Sequence, residues 1–141
     1  MNTLGQVTKS STKKVNPHTI GESFVAAAAL PENAIVKLNT STGKVEAIAA
    51  STDVPLGVTV MAAKEADSMV TVDTPYSRIV RAKATNATIA LGAEISASSV
   101  SSEFTLVKAA AADDFVVGVA LEGADANAEI WVGILYSPYK K

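Results

Sequence analysis

The chain contains no cysteine, and its single histidine, His18, lies close to the N-terminus. Without cysteine, a disulfide framework, a thiol nucleophile and a cysteine-ligated zinc site are excluded. Because His18 lies outside the segment that we expect to fold, a nucleophile–histidine pair on the folded body is excluded as well. We therefore predict a protein that is not an enzyme and that needs no metal or other cofactor.

Aromatic residues make up only 5% of the 141 residues, although hydrophobic residues make up 48%. The apolar share comes largely from Ala and Val, whose small side chains bury little area each. We therefore expect the folded body to gain stability from packing between its parts or against neighbouring subunits. No apolar run approaches the roughly 20 residues of a membrane-spanning helix, so no membrane partner is predicted.

Arginine is also scarce, and the charges are unevenly distributed along the chain. Residues 1–20 carry Lys9, Lys13 and Lys14 and no acidic residue, whereas the remaining nine basic residues are outnumbered by 14 acidic ones. A nucleic-acid-binding domain would concentrate Lys and Arg on the folded body, so no nucleic acid partner is predicted. Residues 1–20 are rich in Ser, Thr, Lys and Asn without an apolar period, which predicts an extended N-terminal arm.

After residue 20, short apolar segments alternate with turn residues. The segment 35–48 predicts a hairpin, because Asn39, Ser41 and Gly43 supply turn positions between two apolar runs. The stretches "PLGVTVM", "MVTVDT" and "RIVRAKA" predict further strands. Short strands, frequent turns and the lack of a clear amphipathic helix predict an all-β protein.

The chain also contains an internal repeat. The stretch 51–74, "STDVPLGVTVMAAKEADSMVTVDT", is matched by 112–135, "ADDFVVGVALEGADANAEIWVGIL", at an offset of 61 positions. At this offset Gly57 and Val58 align with identical residues, as does Leu30, and apolar residues align elsewhere. The main pairs are Gly57 with Gly118, Val58 with Val119, Leu30 with Leu91, Met69 with Ile130 and Val70 with Trp131. The segments 24–30 and 85–91 also align, and both are predicted to be extended.

The repeat predicts three parts. These are an extended arm over residues 1–20, a first β-repeat over 21–81 and a second β-repeat over 82–141, with the repeats packed as one compact unit. The fold prediction is accordingly a small barrel-like or tulip-like β-domain built from an internal duplication. One barrel formed by both repeats and two packed units are both compatible with the pattern.

The acidic residues do not form a convincing catalytic or metal site. Asp113 and Asp114 are adjacent and precede an apolar strand, as does Asp53, so we interpret all three as turn residues rather than as a paired-acid site. The stretch "GADANAE" has too few ligands for calcium. Trp131 lies in an alternating strand and is interpreted as a core or interface anchor.

In combination, these features resemble the head decoration, or capsid cement, proteins of tailed bacteriophages. The resemblance covers nearly the whole chain. It rests on the polar Ser/Thr/Lys stretch at the N-terminus, on "ALPENAIVKLNTSTGKVEAIAASTDVPLGVTVMAAKEADSMVTVDT", and on the second-half segments "IALGAEISASS" and "FVVGVALEGADANAEIWVGI".

The resemblance implies a structural protein on the outer surface of the virion capsid. Members of this family bind at junctions between major capsid proteins, commonly as trimers, and their N-terminal arm often contacts the capsid or a neighbour. It therefore implies the major capsid protein as partner and a homo-oligomer. The doubled motif departs from shorter family members, which leaves a dimer as the alternative to a trimer.

The residues that we predict at the capsid or subunit interface lie at the two ends of the chain. They are Val7, Lys9, Lys13, Lys14, Val15, Ile20, Tyr136 and Tyr139. Two other functions remain open from the sequence. One is another phage structural β-module, such as a tail-tube, fibre or baseplate component, and the other is a carbohydrate-binding β-domain in which Trp131 would be exposed.

Overall fold

The computed structural model describes residues 22–73 and 78–141, which form ten β-strands and no helix. The all-β prediction is therefore confirmed. The strands are β1 (Glu22–Val25), β2 (Ile35–Leu38), β3 (Val45–Ala47), β4 (Gly57–Thr59), β5 (Met69–Asp73), β6 (Arg78–Ala84), β7 (Glu94–Val100), β8 (Thr105–Ala109), β9 (Phe115–Ala120) and β10 (Glu129–Lys140).

The strands are arranged in two groups of five. Strands β1 to β5 form a sheet in the order β1-β5-β4-β2-β3, and strands β6 to β10 form a closed barrel in the order β10-β6-β8-β7-β9. The barrel closes through a parallel ladder of two pairs, Lys83 with Leu106 and Ala84 with Val107. In the first sheet a single parallel bridge links Ala26, which directly follows β1, to Val45 of β3, so the two ends of the sheet meet. Both halves therefore have the same circular order of strands.

Matching strands lie at slightly different offsets in the two halves. Equating Gly57 with Gly118 and following the ladders gives offsets of 58 for β1 and β6, 59 for β2 and β7, 62 for β3 and β8, 61 for β4 and β9, and 60 for β5 and β10. The parallel closures agree with this assignment, since Ala26 with Val45 corresponds to Ala84 with Val107.

The uniform offset of 61 predicted from the sequence is therefore right only in part. It holds for Gly57 and Val58. It is wrong for Leu30, whose bridge to Ala63 corresponds to that of Ile89 with Ala124. It is also wrong for the two residues that begin β5, because Met69 corresponds to Glu129 and Val70 to Ile130. Turns of unequal length between otherwise matching strands explain these shifts.

The predicted boundary between the repeats and the predicted alignment of their first segments also disagree with the observed strands. The boundary between residues 81 and 82 falls within β6, and all of the pairing of β6 is with barrel strands. The segment 85–91 is not the counterpart of 24–30 in the ladders. It follows β6 and reaches the bridge at Ile89, whereas β1 corresponds to β6 itself.

The first hairpin forms where the sequence predicts it. Asn39 Oδ1 accepts hydrogen bonds from the backbone N–H groups of Ser41, at 3.0 Å, and Thr42, at 3.2 Å. Gly43 has a φ of 73°, a left-handed conformation that glycine adopts without a Cβ penalty. Side-chain capping and one glycine thus reverse the chain between β2 and β3.

The two halves share a hydrophobic core. Ile35, Ile48 and Val58 of the first half belong to the same buried cluster as the apolar side chains of the barrel. Fully burying one such side chain contributes about 1.5–3 kcal/mol to stability. Backbone polar groups also join the halves, because the N–H of Ile35 donates to Thr105 Oγ1 at 2.9 Å and the N–H of Phe115 to the carbonyl of Ser51 at 2.8 Å.

Candidate functional site

Large apolar side chains remain exposed on the outer face of the barrel, where β10 lies between β6 and β9. The exposed fractions are 62% for Ile79, 46% for Leu121 and 41% for Trp131. Gly133 pairs with Ile79, and Leu121 packs over Gly133, with its Cδ2 3.4 Å from the place where a Cβ would lie. We call the surface formed by Ile79, Leu121, Trp131 and Gly133 the barrel patch.

A cation and a carboxylate flank the barrel patch on its Trp131 side. The guanidinium carbon of Arg81 lies 5.0 Å from the centre of the Trp131 ring, within the range of a cation–π contact. The same guanidinium donates to both carboxylate oxygens of Glu129, at 3.1 and 3.0 Å. Arg81 is therefore held in one geometry over the indole ring.

The electrostatics of this cluster follow from the ion pair. The hydrogen bonds from Arg81, with a smaller contribution from its charge, lower the pKa of Glu129. The same contacts raise the pKa of Arg81. Glu122 completes the cluster, since its Oε1 accepts a hydrogen bond from the backbone N–H of Trp131 at 3.1 Å. An exposed pair of this kind adds little to stability, but its bidentate geometry orients the side chains beside the barrel patch.

The predicted interface residue Tyr139 lies at the C-terminal end of β10, with 45% of its surface exposed. Its hydroxyl donates a hydrogen bond to Glu94, and this bond lowers the pKa of Glu94 and raises that of Tyr139. Lys141 Nζ contacts the same carboxylate at 3.0 Å. The end of the chain is thus tied to β7, while the Tyr139 ring keeps an exposed surface.

The other predicted interface residues are not tested by the structure. Val7, Lys9, Lys13, Lys14, Val15 and Ile20 lie outside the described residues. Tyr136 lies in β10, but its side chain is outside the described part of the structure.

Two of the three acidic residues that the sequence assigned to turns, Asp53 and Asp114, do stabilise turns. Asp53 Oδ2 accepts hydrogen bonds from the N–H groups of Ala49 and Ala50, and Asp114 Oδ2 accepts one from Ala111. A lysine contacts each carboxylate, Lys37 at 2.9 Å and Lys108 at 3.0 Å. In the segments 22–73 and 78–141, no group of three or more His, Asp or Glu side chains is arranged to hold a metal ion.

Sequence reasoning missed the barrel patch, although a signal was present. Ile79 precedes Val80 in β6, and Ile130 precedes Trp131 in β10. Consecutive strand residues point to opposite faces of the sheet. When only one face packs against the core, one of two neighbouring apolar residues must therefore lie on the outer face. The buried partners are Val80 and Ile130, both at most 2% exposed.

Comparisons with known proteins add no family assignment. No protein-family model matches the chain, and no curated protein matches it. Among the residues that the structure describes, no helix has the length and hydrophobicity needed to cross a membrane.

Proposed function

We propose that this protein is a structural virion component that binds the outer surface of a phage capsid. The observation that carries the proposal is the barrel patch, an exposed apolar surface beside an ordered ion pair. Protein interfaces combine an apolar centre, enriched in Trp and Arg, with a polar rim. The resemblance of the sequence to capsid cement proteins supplies the partner, which would be the major capsid protein.

We further propose that the two halves are an internal duplication. Their matching strand order and equivalent ladders support this interpretation. Turn geometry supports it too, since the N–H of Asn33 donates to Thr59 and that of Gly92 donates to Ala120, both at 2.8 Å. Asn33 and Gly92 both have positive φ, at 59° and 81°. Two unrelated halves would not be expected to place a residue with left-handed backbone conformation at the same point of their ladders.

The proposed mechanism is mechanical stabilisation without catalysis. A capsid that has expanded around its DNA must resist internal pressure, and a protein that bridges adjacent capsid subunits adds its binding free energy to shell stability. The barrel patch would supply a packed contact. The basic residues of the arm, Lys9, Lys13 and Lys14, would face acidic capsid surface. A homo-oligomer, with a trimer favoured over a dimer, would place several such contacts around one junction.

The direct test is co-sedimentation of the purified protein with undecorated phage heads. We expect saturable binding to expanded heads and none to unexpanded heads, because the bridged junctions form on expansion. Absence of binding to both forms would contradict the capsid proposal and would favour another virion assembly, such as a tail tube, fibre or baseplate.

Removal of residues 1–20 tests the contribution of the arm. We expect the truncated protein to keep its thermal unfolding transition, since β1, the first strand that the structure describes, begins at Glu22, and to lose capsid binding. Normal decoration of expanded heads by the truncated protein would show that the arm is dispensable.

Replacement of Trp131 by alanine tests the barrel patch. We expect capsid affinity to fall by about 2 kcal/mol, the loss typical of an interface hot spot. Val54→Ala is the matched control, because Val54 is also exposed, at 66%, but lies in the first half. Equal capsid affinity of the Trp131→Ala variant and the unmodified protein would remove the barrel patch from the interface.

A carbohydrate-binding role is the second candidate, because Trp131 is 41% exposed. Arg81 covers one side of its ring, so a sugar would stack on the other. Trp131 is the single tryptophan of the chain, and a sugar-dependent change in its fluorescence would favour this role over capsid binding.

A further inference from the structure

An open cleft of about 530 Å³, with both polar and apolar walls, lies between the end of β6 and the β7–β8 hairpin. Its walls come from residues 83–86, from the hairpin residues 101–104, and from Leu106 and Asn127. The cleft is separate from the barrel patch, none of whose residues lines it. Its volume is within the range of small-molecule binding sites in proteins.

The cleft presents neutral polar groups that are free to bind. Asn86, Asn127 and Ser102 are exposed, and their side chains make no hydrogen bond within the part of the chain that the structure describes. Phe104 and Leu106 are half-buried and add an apolar wall. An amide both donates and accepts hydrogen bonds, as does a hydroxyl.

The first half fills the corresponding position differently. By the ladder offsets, Asn127 corresponds to Asp67 and Leu106 to Lys44. Lys44 Nζ and Asp67 Oδ1 lie 2.5 Å apart and bridge this position in the first half. Asp67 and Asn127 have nearly the same backbone φ, 66° and 64°. The two positions therefore differ in their side chains and not in this backbone angle.

The wall of the cleft that follows β6 is also more polar than its counterpart in the first half. Thr85 and Asn86 of the cleft correspond to Ala27 and Ala28 in the first half. One scaffold therefore carries an ion pair and methyl groups in its first copy, and unpaired amides, hydroxyls and an aromatic ring in its second. Packing requirements of the scaffold do not explain this difference, since the first copy folds without these polar groups.

We propose that the cleft of the second half binds a neutral oligosaccharide. Sugar hydroxyls donate and accept hydrogen bonds, which matches the amides of Asn86 and Asn127 and the hydroxyl of Ser102. The C–H faces of a sugar ring are apolar and suit the ring of Phe104. Lys83 and Glu103 contribute opposite charges to the rim, so the cleft has no net preference for a charged ligand. This site is independent of the proposed capsid contact.

The test is an NMR titration of the full-length ¹⁵N-labelled protein with maltohexaose, cellohexaose and chitohexaose at millimolar concentrations. We expect at least one hexasaccharide to shift the backbone signals of residues 101–104 and the side-chain amide signals of Asn86 and Asn127. Unchanged spectra with all three sugars, or shifts centred on Trp131 instead, would overturn the proposal.

A transplanted ion pair provides the matched variant. The double substitution Leu106→Lys and Asn127→Asp should close the cleft as Lys44 and Asp67 do in the first half. We expect it to weaken sugar binding by about tenfold or more, with the dispersed spectrum of a folded protein retained. The reciprocal control, Lys44→Leu with Asp67→Asn, should leave the affinity unchanged.

A single substitution guards against misfolding of the double variant. Asn86 is exposed, so Asn86→Ala should leave the fold intact and weaken binding by removal of two donors and an acceptor. Affinity that is unaffected by both the double variant and Asn86→Ala would overturn the proposal, whichever sugar is bound.

Discussion

Replacement of Gly118 by alanine is expected to lower the free energy of unfolding by about 3 kcal/mol or more. A Cβ at this position would lie 2.5 Å from the carbonyl oxygen of Gly133 and 2.7 Å from Val132 Cγ1. The oxygen belongs to the backbone of β10, which is paired on both sides, so it cannot move without disturbing the barrel ladders. Overpacking typically costs about 1–3 kcal/mol, and a clash with fixed backbone lies at or beyond the upper end of that range.

Two further glycine variants make this expectation specific. Gly57→Ala should be similarly destabilising, because a Cβ there would meet the carbonyl oxygen of Asp73, the first-half counterpart of Gly133. Gly123→Ala is the control, since the nearest heavy atom to its Cβ would be 3.6 Å away. Urea unfolding followed by Trp131 fluorescence measures all three. If Gly118→Ala and Gly123→Ala had equal stability, the close approach of β9 and β10 would be disproved.

Replacement of Asp114 by alanine is expected to lower the free energy of unfolding by about 3 kcal/mol at neutral pH. Asp114 is 4% exposed, and its carboxylate accepts hydrogen bonds from Ser51 Oγ and from the N–H of Ala111 at 2.8 Å. Lys108 Nζ lies 3.0 Å from Oδ2. Removal of the carboxylate leaves Ser51 Oγ and the backbone N–H of Ala111 without their acceptor, which costs about 1–3 kcal/mol for each such group, and the bond to Ser51 also joins the two halves.

The same carboxylate makes stability depend on pH. Burial raises the pKa of Asp114, but the hydrogen bonds from Ser51 and Ala111 and the contact with Lys108 outweigh it, so the pKa in the folded protein lies below its ordinary value. Its contribution is therefore fully present above the unfolded pKa of about 3.9, and it is lost as the pH falls through the folded pKa.

An Asp114→Asn variant checks the sign of this dependence. We expect a difference in unfolding free energy from the unmodified protein that is largest near neutral pH and shrinks below about pH 4. The pKa of Asp53 is lowered for similar reasons. The doubly substituted Asp53→Asn and Asp114→Asn protein should therefore show the weakest dependence of unfolding free energy on pH at acidic pH. A constant difference from pH 7 to pH 2 would mean that Asp114 acts through packing alone.

The local parts of the fold could be predicted from the sequence. The β2–β3 hairpin follows from turn residues between apolar runs, and the roles of Asp53 and Asp114 follow from their position before apolar strands. The identical glycines also revealed a true correspondence, because both halves need a residue without a Cβ where neighbouring strands approach closely.

The alignment of the two halves could not be fully predicted, because the turns differ in length by one to three residues. A fixed offset cannot follow such changes, and abundant Ala and Val give plausible matches in the wrong register. The lysine beside each turn carboxylate illustrates the problem. It comes from β2 in the first half, as Lys37, and from β8 in the second, as Lys108. The same contact is therefore made by residues that no alignment pairs.

The candidate surfaces were harder to predict than the strands. Alternation identifies which residues share a face, but it does not say whether another element covers that face. Ile79, Leu121 and Trp131 could each have been core residues by pattern alone. The cleft depends on three segments that lie far apart in the sequence, and its contrast with Lys44 and Asp67 becomes visible only after the ladders are matched.

The unequal hairpins have a consequence for how this chain can be altered. Val36 and Val45 are nine positions apart, whereas their counterparts Ile95 and Val107 are twelve apart, and a bulge between Ala97 and Ser99 takes up part of the additional length. The strands on either side keep the same partners. We therefore expect that the length of either hairpin can be changed without altering the pairing of the strands that flank it.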